Sequence, residues 1–253
     1  MSSFTLRVPP LPGGIGISRL RVYDWEAADG LRGGAPHLHL ACTEGYVVLG
    51  GRGRVQTLNA SGYAETELVR DRVVWFTPGT LHRLVNDDGR LEILVLMSNS
   101  GLPEAGDAVF PFPRAVLDDT EAYAHAAALD RAEPEKSARS RRDLALAGFA
   151  ELRSAVQGGG LTALSAFHER AAELIRPRLP EWRAIVEAGP TAAVTATAAY
   201  LRALESGAEH LRDATVARAA TVPRWGICGH LGACDLDGAV ALPPRGRSGP
   251  SIC

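Results

Sequence analysis

Three histidines and one glutamate in the first third of the chain have the types and spacing of a metal-binding set. His37 and His39 are separated by one residue, so on a β-strand both side chains would project from the same face. Glu44 follows after a short break, and His82 comes just after a Pro-Gly turn. Imidazole nitrogens with a carboxylate oxygen suit Fe, Mn, Ni, Cu or Zn, and this mixed set does not select one of them. On an octahedral ion, four protein ligands would leave positions for substrate, water or dioxygen.

Short strand-like runs surround these four residues. The runs are apolar or alternating, rich in β-branched residues, and separated by Gly, Pro, Asn and Asp in turn-forming combinations. The predicted strands are residues 17–23, 37–41, 45–50, 54–58, 63–69, 72–77, 82–86 and 91–97. Many short strands at close spacing predict an antiparallel sandwich or barrel.

Two motifs within these strands resemble those of the cupin superfamily. The run PHLHLACTEGYVVLGG, residues 36–51, resembles the first cupin motif, with HxH followed by Glu and then Gly. The run PGTLHRLVN, residues 78–86, resembles the second, except that its Gly falls directly after Pro78, and Arg72 stands where an earlier Gly is expected. These departures affect turns rather than ligands. The resemblance covers about residues 15–100, and it implies an antiparallel cupin β-barrel (jelly roll), one divalent metal and edge-to-edge pairing into a homodimer.

The rest of the chain has a helical pattern. A connector over residues 101–114 precedes a helical region over 115–222, in which apolar stripes at 144–156 and 164–175 are separated by three glycines. The charged stretch 131–142 is expected to be solvated. Residues 223–253 are predicted to be an irregular, cysteine-containing tail. The sequence therefore predicts a mainly β plus α protein, with a barrel followed by helices.

A few other residues are candidates for the site. Tyr46 and Trp75 are candidates to line a substrate pocket or to fill the barrel core, and Asn86 to orient a ligand or cap a turn. Cys228 and Cys234 flank a histidine in a fragment of a zinc-site pattern that lacks a fourth ligand. The sequence assigns no role to these two cysteines or to Cys253.

Resemblance to cupin oxygenases favours oxidation of a small organic molecule by dioxygen, with Fe(II) as the first choice of metal. A metal-dependent sugar or sugar-phosphate isomerase is an alternative, but Glu44 would be bound to the metal, so another base is needed. The candidate bases are Glu65, Glu67 and Glu92. A non-catalytic sensor or binding cupin for a small molecule is a third hypothesis, because cupins serve many functions.

Composition narrows the partners. The net charge of −2 does not produce the positive electrostatic field that would attract nucleic acid or an anionic membrane surface. No run approaches the ~18 apolar residues of a membrane helix, and the first residues do not form a secretory signal. We therefore expect a cytoplasmic protein with free thiols whose partners are a small-molecule substrate or ligand and a second copy of itself.

Overall fold

The computed structural model describes residues 10–242, and its N-terminal part is built almost entirely of antiparallel strands. The alternating and β-branched runs form strands, and left-handed glycines or turn residues end them. The strands before the connector are β1 (Gly16–Val22), β2 (Glu44–Gly50), β3 (Arg52–Asn59), β4 (Gly62–Val69), β5 (Val73–Phe76), β6 (Leu81–Asn86) and β7 (Glu92–Met97). The predicted strand at residues 37–41 is present only as isolated bridges, His37 to His82 and Leu38 to Val109.

Two antiparallel sheets enclose the main core. One has six strands in the order β5-β2-β7-β1 followed by two C-terminal strands, and the other has three in the order β4-β3-β6. Side chains of both sheets belong to one buried cluster: Tyr46 and Ile93 come from the first sheet, and Leu58 and Leu84 from the second. The predicted jelly roll with a C-terminal helical region is therefore confirmed.

The C-terminal segment differs from its prediction as an irregular tail. Strands β8 (Ala217–Arg218), β9 (Thr221–Trp225), β10 (Gly229–Cys234) and β11 (Val240–Ala241) follow the helices. Strand β10 pairs with β1, with Leu231 opposite Leu20, and β9 becomes the sheet edge. The sequence of β10, GHLGAC, has little strand propensity, but it covers backbone groups of β1 that would otherwise lie at an open edge. Residues 243–253, including Cys253, lie outside the described part.

Six helices lie between the barrel strands and the C-terminal strands. They are α1 (Arg114–Leu117), α2 (Thr120–Ala127), α3 (Pro134–Gln157), α4 (Thr162–Ile175), α5 (Leu179–Val186) and α6 (Ala192–Ser206). Phe149 of α3 and Phe167 of α4 are buried in the same cluster as the barrel core, so these two helices pack on the barrel. In the described residues 10–242, none of the helices has the length and apolar content to cross a membrane.

The expectation that residues 131–142 are solvated is wrong for the last part of that stretch. It forms the first half of α3, and both Arg141 and Arg142 are buried. Arg142 donates to the backbone oxygens of Trp25 and Glu26, at 3.0 and 2.9 Å. A long arginine stem can be buried while its head finds acceptors, and such acceptors are not visible in local sequence.

Candidate metal centre

The four predicted ligands converge between the two sheets. Atoms of His37, His39, Glu44 and His82 lie within 4.8 Å of one another, and all four residues are buried. His37 and His82 are held together by paired backbone hydrogen bonds of 3.0 and 2.9 Å. Glu44 is the first residue of β2 in the six-stranded sheet, whereas His82 lies in β6 of the other sheet. The carboxylate therefore reaches the histidines across the barrel.

The three imidazoles present the same nitrogen to the centre. The Nδ1 atoms of His37 and His82 lie 3.1 and 3.0 Å from the carbonyl oxygens of Ala35 and Thr80, and that of His39 faces the carbonyl of Asp107. A carbonyl can only accept, so each Nδ1 is the protonated nitrogen of a neutral ring and each Nε2 carries a lone pair. Backbone carbonyls behind histidine ligands fix ring orientation in this way in metal sites.

The atoms that face one another at the centre lack donors. The Nε2 atoms of His37 and His82 are 3.2 Å apart, and Oε2 of Glu44 lies 3.0 Å from Nε2 of His82 and 3.3 Å from Nε2 of His39. With Nδ1 protonated in each ring, these contacts bring lone pairs together, and Oε2 of Glu44 is buried without a hydrogen-bond partner. A cation would satisfy all four atoms, so the donor set fits a divalent metal.

Burial and charge adjust the protonation of this cluster. Burial, followed by the neighbouring histidines, holds the pKa of His37 well below 6.5, which favours its neutral form. Burial also acts to lower the pKa of His39, but the Glu44 carboxylate and Asp107 outweigh it and raise that pKa. For Glu44, burial opposes ionisation, but positive charge and N–H donors on His82 and His39 hold its pKa well below 4.5, and a cation between neutral rings would stabilise the charged carboxylate in the same way.

Asp107 positions the loop that carries His39, a role that no sequence motif indicated. Its fully buried carboxylate accepts hydrogen bonds from the backbone nitrogens of Leu40, Ala41 and Cys42, at 2.8, 2.9 and 2.7 Å. Three bonds to one carboxylate fix the turn between His39 and Glu44. Asp107 lies in the connector, 68 residues from His39, so local spacing could not indicate this role.

A cavity of about 320 Å³ opens onto the metal centre. His37, His39, Glu44 and Tyr46 line it on the barrel side. The rest of its wall comes from β1, β7 and the start of the connector, together with residues late in the chain, among them Arg141, Trp225, Gly226, Ile227, Cys228 and Leu231. The Sγ atom of Cys228 lies 3.9 Å from Nδ1 of His37. The cavity has the size and partly apolar lining of a site for a small molecule.

The structure places the three predicted pocket residues differently. Tyr46 lines the cavity and is fully buried, and burial followed by the Glu44 charge raises its pKa well above 10. Trp75 does not line it: β5 is an edge strand, and Trp75 is 70% exposed on its outer side. Asn86 also lies elsewhere, where its amide donates to Val22 and its oxygen accepts from the Leu91 backbone nitrogen, both at 3.0 Å. Asn86 thus secures a turn, the alternative considered from its position.

Comparisons with known proteins find similarity only among solved structures. No protein-family model and no curated protein matches the chain. The chain is similar to the capsular polysaccharide assembling protein CapF from Staphylococcus aureus, with 17% identity over 40% of this chain and a TM-score of 0.32. It is also similar to a cupin protein from Bacteroides fragilis (19%, 34%, 0.26) and to WlaRA, a TDP-fucose-3,4-ketoisomerase from Campylobacter jejuni (16%, 38%, 0.29).

These matches cover 27%, 65% and 64% of the three chains, so this chain spans less than two thirds of each. With such low identities and TM-scores, they say nothing of its activity, substrate or partners. The chain itself folds as a jelly-roll barrel of two antiparallel sheets and carries a buried cluster of three histidines and a glutamate suited to a metal. The fold that the sequence resemblance to cupins implies is therefore present in this chain.

Proposed function

We propose that this protein is a metal-dependent enzyme that oxidises a small organic molecule with dioxygen, with Fe(II) as its metal. The observation that carries the proposal is the cluster of three Nε2 lone pairs and one unpartnered carboxylate oxygen at the wall of a cavity. His37, His39, His82 and Glu44 would hold the ion. When bound, it would supply a redox-active Lewis acid with positions open to small molecules.

The residues around the ion prepare the site. Carbonyl oxygens behind the three rings accept from Nδ1–H and so fix the ring orientations. The imidazoles could therefore bind a metal ion with little reorganisation. Tyr46 remains protonated beside Glu44 because its pKa is raised, and its ring packs against Phe76, with the centroids 5.4 Å apart. The cavity, at about 320 Å³, admits a substrate of modest size.

The isomerase alternative receives no support from the bases proposed for it. Glu65 pairs with Arg54 at 2.9 Å, and Glu92 pairs with Arg19 at 2.6 Å. Glu67 is exposed on β4, and none of the three lines the cavity. An oxygenase of this kind would not need a carboxylate that shuttles a proton between two carbon atoms, because a diol or thiol that binds the metal can release its proton to water. This is why we place oxidation first.

Oxygen consumption by the Fe(II)-loaded protein tests the proposal. Catechol and cysteine, as a diol and a thiol, are offered under air with an oxygen electrode, and we expect uptake with one of these classes. Glu44→Gln keeps the shape of the side chain but removes its charge, and we expect less bound iron and less uptake. Nitric oxide added under argon reports an open position on the iron through the EPR spectrum.

The results separate the three hypotheses. Uptake that depends on Glu44 supports the oxygenase. A protein that binds iron and nitric oxide but consumes no oxygen, yet is thermally stabilised by a small molecule, would favour the sensor. Absence of any bound transition metal from the purified and reconstituted protein would contradict the proposal altogether.

A further inference from the structure

Among the described residues 10–242, three arginines are buried, and one of them lacks a carboxylate partner. Arg83 is 1% exposed and pairs with Asp29, and Arg142 is 2% exposed and contacts Asp143 at 2.9 Å. Arg141 is 7% exposed, and no carboxylate of the described residues makes an ion pair with it. An unpaired buried charge is expensive, and proteins usually supply a partner or take one from a ligand.

The contacts of Arg141 satisfy only part of its guanidinium. One terminal nitrogen donates to the carbonyl of Ala127 at 3.1 Å and the other to that of Gly226 at 3.3 Å, while Nε is buried without an acceptor. The guanidinium also lies over the ring of Phe110, 5.0 Å from its centroid. Burial lowers the pKa of Arg141, in keeping with an environment that does not compensate its charge.

Arg141 lines the same cavity as the candidate metal centre. The ring of Phe110, which Arg141 covers, lies 6.4 Å from the ring of His37, centroid to centroid. Gly226, which accepts from Arg141, precedes Cys228, whose sulfur contacts His37. The cation therefore lies one side chain away from the metal ligands. Apolar side chains form much of the wall around them, namely Leu20, Val95, Met97, Ile227 and Leu231.

We propose that Arg141 binds the carboxylate of the substrate, and that this substrate is a small organic acid with an apolar body. A planar guanidinium with free N–H groups matches the two oxygens of a carboxylate, and the pairing is strong where the guanidinium is buried, as it is at Arg141. The apolar wall suits a hydrocarbon body, and the volume of about 320 Å³ limits its size. As a statement about substrate, the inference rests on the proposed function. The anion site itself does not require the metal.

A purely structural role for Arg141 makes a different prediction. Its bonds to Ala127 and Gly226 tie α3 to the C-terminal end of α2 and to the β9–β10 turn. If that were its only role, changing it would alter stability without altering the preference of the cavity for charged over neutral ligands. Ligand charge therefore separates the two roles.

Isothermal titration calorimetry on EDTA-treated protein tests the anion site without the metal. The probes are benzoate and its neutral isostere benzamide, with inorganic phosphate as a second anion. We expect benzoate to bind at least about 10-fold more tightly than benzamide. In Arg141→Gln, benzoate affinity should fall about 10- to 100-fold, while benzamide affinity stays unchanged. Arg139→Gln is the matched control, because it removes the same charge from the same helix outside the cavity.

Equal benzoate affinity in the wild type and Arg141→Gln, or equal affinity for benzoate and benzamide, would overturn the inference. Phosphate binding more tightly than benzoate would overturn the assignment to carboxylates. If Arg141→Gln does not fold, as judged by circular dichroism, the benzoate and benzamide comparison in the wild type decides. Metal uptake is measured separately. If the protein takes up no metal but binds benzoate through Arg141, the oxygenase proposal fails and the anion site stands.

Discussion

The metal centre and the cavity wall facing it come from different parts of the chain and are built in different ways. The four candidate ligands lie within 46 residues of one another, counted from His37 to His82, and backbone carbonyls hold all three rings from behind. Another part of the cavity wall uses Arg141 of α3 and the β9–β10 turn, which follows the helices. Under the proposed function, the barrel would hold the metal, and Arg141 with the β9–β10 turn would determine which substrate binds.

The two regions also differ in what they leave unsatisfied. At the metal centre, the unpartnered atoms are lone pairs and a carboxylate oxygen, which together attract a cation. At the far wall, the unpartnered group is a guanidinium, which attracts an anion. Because the two groups line one small cavity, their opposite charge requirements favour a substrate that pairs its anionic group with Arg141 and reacts at the candidate metal centre.

Removing two ligands is the strongest way to break this comparison. In His37→Ala/His39→Ala, we expect metal affinity to fall by more than about 100-fold, since even partners behind metal ligands are worth about 10- to 100-fold. Elemental analysis of reconstituted protein measures this. The fold should persist, because the strand pairing of the barrel does not depend on these rings.

Benzoate binding at Arg141 is the control for that variant. Arg141 is unchanged in it, so the EDTA-treated double variant should still bind benzoate more tightly than benzamide, although two side chains of the cavity wall are shortened. Equal metal content in the double variant and the wild type would show that these histidines are not the ligands.

Local spacing predicted that the four candidate ligands come together. It did not indicate which residues form the rest of the cavity wall. His37 and His39 carry an i, i+2 signal, and strands such as β3 and β6 alternate or use β-branched residues. Arg141 lies in a charged stretch with the composition of a solvated helix face, and β10 contains two glycines. Their burial depends on strands and loops more than 80 residues away, which local propensity does not encode.

Docking of α3 on the barrel can be tested at one glycine. A Cβ atom on Gly148 would lie 1.9 Å from the carbonyl oxygen of Pro111, so Gly148→Ala must displace the helix or the connector. We expect a loss of about 3 kcal/mol in the free energy of unfolding by urea, the upper part of the range for overpacking. Gly158→Ala is the control, because its Cβ would meet nothing closer than 3.4 Å. Equal stabilities of the two variants would mean that α3 does not approach Pro111 closely.

The ion pair of Arg83 and Asp29 can be compared with Arg141, because Arg83 is a buried arginine that has a carboxylate partner. Burial acts to raise the pKa of Asp29, but the hydrogen bond and charge of Arg83 outweigh it, so the pKa lies below 3.8. Asp29→Asn should cost about 1–2 kcal/mol, less than a fully buried pair because Asp29 is partly exposed. Urea unfolding at neutral pH measures this.

The sign of the pH dependence follows from that lowered pKa. The unfolded carboxyl takes up its proton near pH 3.8, while the folded one stays charged to lower pH. The stabilisation is therefore fully present above that value and is lost as the pH falls through the folded pKa. The difference between wild type and Asp29→Asn should shrink on acidification. A difference that grows on acidification would contradict the pairing, and Asp24→Asn, an exposed carboxylate, serves as the control.

The smallest effect is expected at Trp75, which the sequence suggested for the pocket and the structure places outside. Because its side chain is 70% exposed on edge strand β5, Trp75→Ala should change the free energy of unfolding by no more than about 0.5 kcal/mol. Metal content and benzoate affinity should not change at all. A lower metal content or a weaker benzoate affinity would mean that β5 reaches the cavity.

Sedimentation of the same variant tests the predicted homodimer. Since that pairing would join sheet edges, a dimer formed through β5 should weaken when this exposed aromatic side chain is removed, whereas a dimer formed elsewhere should not.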